Sequence, residues 1–206
     1  MNKYFITGIG TDVGKTVVSA IVTEALEADY WKPVQAGELQ HTDTHSVMDL
    51  ISNSKSRAHD HSYALKTPMS PHAAAEIDKI HINIDTIIEP ETANHLVIEG
   101  AGGLLVPLNQ KDTIIDLIKK DYKVILVSRH YLGSINHTLL SINELRRRGL
   151  EIAGVIFNGD EHPSTENIIK DIGKVEVLGR INEEPVLNKS VIRSYANLFK
   201  SRLETI

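Results

Sequence analysis

Cysteine is absent from the 206 residues, which excludes disulfides, thiolate catalysis, iron–sulfur clusters and cysteine-ligated zinc. No apolar run approaches the ~18 residues of a membrane span. The opening Met1-Asn2-Lys3-Tyr4-Phe5-Ile6 meets Gly8 too soon for a signal peptide's apolar region. Positive charge is not in excess. Lys and Arg number 22 against 27 Asp and Glu, a net charge of −5. That balance speaks against a surface that wraps polyanions, while leaving room for one basic pocket. Internal repeats and low-complexity linkers are missing too. One soluble, cytoplasmic domain over residues 1–206 is expected, with no nucleic-acid or membrane partner.

What is present alternates. Short β-branched apolar runs near Tyr4–Thr7, Tyr30–Val34, His95–Glu99, Lys123–Ser128, Gly154–Asn158 and Val175–Ile181 read as strands. Between them, Val17/Val18, Ile21/Val22 and Ala25/Leu26 recur at helical spacing, as do Ile135, Leu139, Ile142 and Leu145. The pattern predicts an α/β fold, a parallel β-sheet flanked by helices. From Gln35 to Pro90 the chain is polar, with six of its ten His. An elaborated loop region with short helices over one end of the sheet is expected there.

Gly8-Ile9-Gly10-Thr11-Asp12-Val13-Gly14-Lys15-Thr16 lies between the first strand and the first helix. Gly10 and Gly14 let backbone N–H groups turn toward phosphate oxygens, and the helix N-terminus adds partial positive charge. Lys15 can reach the β- and γ-phosphates, and the Thr16 hydroxyl can ligate Mg²⁺. Ile9 stands where the usual P-loop pattern has its first glycine. A Mg²⁺ on two phosphates wants further oxygen ligands. Glu99, before Gly100-Ala101-Gly102-Gly103, would project at the carboxyl edge of the sheet. Asp43 and Asp49 are both available as a second acid. Lys32, just before Pro33, would bring another cation to the same edge, where it would stabilise charge on a transferring phosphoryl group.

The chain resembles the dethiobiotin synthetases. The likeness is carried by Gly8 to Thr16, Lys32-Pro33-Val34, Ser70-Pro71-His72, Glu99 to Gly103, Leu132-Gly133-Ser134-Ile135-Asn136-His137 and Phe157-Asn158. It implies a P-loop NTPase-like fold and the use of ATP and Mg²⁺. It also implies ring-closing carboxylation of 7,8-diaminopelargonate with CO₂, through a carbamate and its phosphoric anhydride. Lys15, Lys32 and Thr11 would then be catalytic, and Thr16, Asp43 and Glu99 the metal ligands, which favours Asp43 over Asp49. Asp12, Val13, Gly14, Lys15, Thr16, Val17, Glu99, Gly102, Asn158 and Gly179 would hold the nucleotide, with Asn158 reading the adenine edge. Thr11, Lys32, Gly133, Ser134 and Asn136 would hold the substrate. The last three would act on its carboxylate from the partner subunit of a homodimer, through free amides at a helix start.

Two positions depart from the family pattern. Ala36 replaces the usual Ser or Thr, removing one hydroxyl near the carbamate, and Asp12 replaces the more frequent Glu. Proton loss from the attacking amine is left open between Asp12 and the phosphate. His41/His45 and His59-Asp60-His61 have spacings compatible with imidazole ligation but are expected to be solvated. Arg146-Arg147-Arg148 is expected to be a solvated helix end. Two rival families fit less well. A cobyrinate-amidating synthetase normally carries a catalytic cysteine domain. A partitioning ATPase carries a lysine early in the phosphate loop, where Gly8-Ile9-Gly10 stands.

Overall fold

The computed structural model describes residues 1–206. In chain order the elements are β1 (Lys3–Gly8), α1 (Lys15–Leu26), β2 (Asp29–Trp31), β3 (Val34–Ala36), α2 (Asp43–Leu50), β4 (Ala58–His59), β5 (Tyr63–Leu65) and α3 (Pro71–Asp78). They continue with β6 (Leu96–Gly103), β7 (Tyr122–Arg129), α4 (Ser134–Arg147), β8 (Glu151–Asn158), α5 (Pro163–Gly173), β9 (Val177–Ile181) and α6 (Lys189–Thr205). Seven strands form one parallel sheet in the order β4-β2-β6-β1-β7-β8-β9, and β3 pairs with β5 in a small second sheet.

The sheet is covered on both faces, as its continuously apolar strands require. Side chains alternate along β1: Tyr4 and Ile6 pack with α1 and α6, while Phe5 packs with Leu104, Ile114 and Ala74 beneath the other face. Leu126, Val155 and Phe157 meet Ile142 of α4 and Ile169 of α5. Helix α6 has no counterpart among the sequence expectations. Its buried residues Ile192, Ala196, Phe199 and Leu203 fall at spacings of four, three and four, a single stripe laid on α1 and β9.

Three strand expectations need correction. The run Tyr30–Val34 is not one strand but two, β2 in the main sheet and β3 in the small one. Pro33 has no N–H to offer a ladder, so the chain changes sheets there. Strand β6 does not stop at Glu99 but continues through the glycines to Gly103, with a bulge between the Ile6–Glu99 and Gly8–Gly103 pairs. Strand β9 starts at Val177 rather than Val175. The Gln35–Pro90 stretch also holds more structure than loops and helices, since β4 joins the main sheet and β5 pairs with β3.

Candidate active site

Sheet order decides what meets at the carboxyl edge. Strand β6 lies between β2 and β1, so Glu99 sits between Lys32, which follows β2, and the loop that follows β1. Asp43 comes from α2. Thr42 caps that helix by accepting the backbone N–H of His45, and a carboxylate in the first turn is favoured by the helix dipole. The four side chains converge. The Thr16 hydroxyl lies 2.8 Å from Asp43 Oδ1 and 3.1 Å from Glu99 Oε1. The Lys32 ammonium donates to Asp43 Oδ2 and, at 3.0 Å, to Glu99 Oε1. Tyr30 completes the cluster, its hydroxyl donating to Glu99 Oε2 at 2.9 Å.

These charges are held out of water: Glu99 is 1% exposed and Lys32 5%. Burial works against the Lys32 ammonium, but Glu99 and Asp43 outweigh it and hold its pKa above the ordinary lysine value. Burial likewise opposes charge on Asp43, yet Lys32 and Thr16 keep its carboxyl below the usual range. Tyr30 is fully buried beside Glu99, and both effects push its hydroxyl well up, so it remains a donor. Lys15 shifts the other way. Burial lowers its pKa against the pull of Glu99, and its Nζ donates to the Gly10 carbonyl at 3.1 Å.

The donor set suits a hard divalent cation. The Thr16 hydroxyl, Asp43 Oδ1 and Glu99 Oε1 converge as an all-oxygen set, with the Lys32 ammonium as the cation facing both carboxylates. Two carboxylates and a hydroxyl fall short of a full protein cage, which fits Mg²⁺, an ion that keeps waters and substrate phosphates in its shell. Asp43 is the acid in this cluster. Asp49 is exposed on α2 and is not part of it.

The phosphate loop is shaped by its neighbours. Gly14 has φ +94°, and a Cβ there would come within 2.3 Å of Asn158 Nδ2, so only glycine fits. Asp12 also adopts a left-handed conformation, φ 56°, a state that Asp tolerates better than most residues. Arg129, at the end of β7, donates to the Asp12 carbonyl at 3.1 Å. A cleft of about 740 Å³ opens beside the loop, and its lining includes Thr11, Asp12, Lys15, Lys32, Ala36 and Gly102.

Comparison with known proteins identifies the lineage. A family model described as an AAA domain matches residues 2–191. A protein of Christiangramia forsetii named ATP-dependent dethiobiotin synthetase is 64% identical, over 98% of this chain and 97% of its own. A protein of Cytophaga hutchinsonii with the same name is 50% identical over 95% and 96%. The chain belongs to the ATP-dependent dethiobiotin synthetases. Solved structures share the fold at far lower identity. The cell division ATPase MinD of Pyrococcus furiosus superposes with a TM-score of 0.59 at 13% identity, over 100% of this chain and 99% of that one. A plasmid partition protein of Borrelia burgdorferi bound to AMPPNP gives 0.61 at 16%, with the same coverage. Likeness at this level is one of fold, a P-loop nucleotide-binding sheet.

Other residues that the synthetase resemblance singles out lie apart from the acid cluster. Val13 is buried under the loop, and its carbonyl accepts the Asn158 Nδ2 donor at 2.9 Å. Asn158 therefore has one of its amide hydrogens already engaged, not the whole carboxamide free. Val17 is half-buried in the first turn of α1, against the core. Gly179 is not at the carboxyl edge. It pairs with Ile156, two residues short of Asn158, and is buried where a Cβ would come within 2.2 Å of the Phe199 ring. Ile181 is the β9 residue level with Asn158. Packing of α6 explains that glycine.

Gly133 caps α4, and Ser134, Ile135 and Asn136 form its first turn. The Ser134 amide is spent on the Tyr131 carbonyl at 3.0 Å, whereas Ile135 and Asn136 have no backbone acceptor. The histidines divide. His41 and His45 are exposed as expected, but His59 and His61 are half-buried. His59 faces Asp29 at 3.1 Å, and His61 Nδ1 donates to the Lys32 carbonyl at 2.7 Å.

Proposed function

We propose that this synthetase closes the cyclic urea of dethiobiotin from 7,8-diaminopelargonate, CO₂ and ATP, with Mg²⁺ held by Thr16, Asp43 and Glu99. The observation that carries this reading is the convergence of Lys15, Thr16, Lys32, Asp43 and Glu99 beside one phosphate-type loop. One amine attacks CO₂ and loses a proton, giving a carbamate. The carbamate oxygen takes the γ-phosphoryl group and ADP leaves. The second amine then attacks the carbonyl carbon, expelling phosphate and a proton.

Anion attacks anion in the phosphoryl step, so the site must hold concentrated positive charge. Lys15 and Lys32 supply it as ammonium groups in a water-poor wall, where such charge acts more strongly than in solvent. Mg²⁺ would offset charge on the β- and γ-phosphates. Thr11 and the loop amides through Gly14 supply donors, and Gly102 lines the facing wall. The Asn158 carbonyl oxygen and remaining amide hydrogen suit a purine edge, with the backbone around Ile181 beside it.

The substrate carboxylate is assigned to the start of α4 in a second copy of the chain, at the free amides of Ile135 and Asn136. Exposed Tyr131, Leu132, Ile135 and Leu140 around that helix support its burial in a homodimer. The cytoplasm is the proposed compartment, and no helix is long and apolar enough to cross a membrane. Incubating the protein with diaminopelargonate, bicarbonate and Mg-ATP should yield dethiobiotin by mass spectrometry. ATP consumption without that product would overturn the assignment.

A further inference from the structure

Resting on the Thr16–Asp43–Glu99 reading of the metal site, we infer that the Lys32 ammonium and the metal ion are alternative occupants of the same oxygens, so that metal loading releases Lys32 into the cleft. Lys32 does not stand beside the acid pair; it bridges it. Its Nζ donates to Asp43 Oδ2 and to Glu99 Oε1. Glu99 Oε1 is also the oxygen within 3.1 Å of the Thr16 hydroxyl. Thr16 in turn reaches the other oxygen of Asp43, at 2.8 Å. An ion touching Thr16, Asp43 and Glu99 would sit on the same Oε1 as the ammonium, where the two positive charges repel each other.

The alternatives on Glu99 are closed. Its second oxygen is engaged by the Tyr30 hydroxyl at 2.9 Å, on a residue with no exposed surface. Turning the carboxylate to separate the lysine from the ion would break that buried hydrogen bond. A single ammonium also leaves the two carboxylates with a net negative charge. A divalent ion neutralises them, and the lysine then loses its reason to stay.

The path for a released Lys32 is short. The residue lines the cleft that Thr11, Lys15 and Gly102 also line, and its backbone is fixed by His61 on the Lys32 carbonyl. Only the side chain has to turn. Lys32 is therefore a positioning and charge-delivering group gated by the metal. Without metal the ammonium is sequestered on Asp43 and Glu99; with metal it faces the anions in the cleft.

Metal affinity measured without substrate or turnover tests this. Mn²⁺ is titrated into nucleotide-free protein, with free ion followed by electron paramagnetic resonance, for wild type, Lys32→Met and Lys32→Arg. Lys32→Met removes the competitor at similar volume and should bind Mn²⁺ at least about tenfold more tightly than wild type. Lys32→Arg, whose planar fork holds two carboxylates more firmly, should bind it several-fold more weakly. Equal affinities, or the reverse order, overturn the exchange while leaving the metal site in place. Should Lys32→Met fail to fold, the arginine variant decides alone, and affinity equal to or tighter than wild type overturns the proposal. A Mn²⁺ affinity of the nucleotide-free protein that Glu99→Gln leaves unchanged overturns the metal-site reading itself.

Discussion

Glu99 Oε2 lies 2.9 Å from the Tyr30 hydroxyl, so a buried phenol fixes the rotation of the carboxylate that faces Lys32 and Thr16. The two residues are 69 positions apart in the chain and meet because β2 and β6 are neighbours. Tyr30→Phe leaves the ring in place and removes one donor. The orphaned buried oxygen should cost about 1–3 kcal/mol of stability, read from the urea midpoint at pH 7. Metal affinity should fall several-fold, while nucleotide affinity measured without metal stays put. An unchanged metal affinity would show that Glu99 needs no such support.

Lys15→Ala should lower turnover by at least about a hundredfold, because Lys15 offsets charge that grows as the phosphoryl group moves. Its fold should survive, since the ammonium's one recorded bond is to the Gly10 carbonyl. Circular dichroism and the thermal midpoint establish folding, and steady-state kinetics the loss. A folded variant with more than about a tenth of wild-type turnover would reject the role.

Glu99→Gln should raise the Mg²⁺ concentration needed for half-maximal activity by about tenfold or more, near 1.4 kcal/mol. Nucleotide binding in EDTA should change much less. Asp49→Asn is the control, because Asp49 points to solvent on α2 away from the cluster. If the Asp49 variant proves the sensitive one, Asp43 is not the second acid.

Much of this site was legible because its chemistry is local. Lys15 and Thr16 follow a glycine turn between strand and helix, and Glu99, Lys32 and Asn158 stand at or near the carboxyl ends of apolar strands. Sequence spacing carries that information directly. Arg129 has the same position after Val124–Ser128, and that signal was available though unused. Tyr30 was not legible, because its role depends on which strands are adjacent. Gly179 misled for a related reason. The resemblance implies a nucleotide contact at Gly179, but its neighbour is Phe199 of a helix whose stripe is interrupted by polar residues. The Ser134 amide is a similar case, since a tight turn to Tyr131 uses the donor that helix position alone leaves free.

The shared site joins two chains. Ile135 and Asn136 present the free amides of α4, and Asn136→Asp would place a negative charge among them. A carboxylate in the first turn favours the helix itself, so folding and dimerisation should persist while the substrate carboxylate is repelled. Homodimers of Asn136→Asp and of Lys15→Ala should each be nearly inactive, the first through a raised KM and the second through a lowered kcat. In a mixed dimer, one site combines an intact phosphate loop with an intact α4 start. Random exchange of equal amounts gives about half heterodimers with one good site each, so activity should return to roughly a quarter of wild type. Native mass spectrometry counts the heterodimers independently of turnover. Verified heterodimers that stay inactive would place the carboxylate within a single chain, and α4 would then be an interface helix with no ligand of its own.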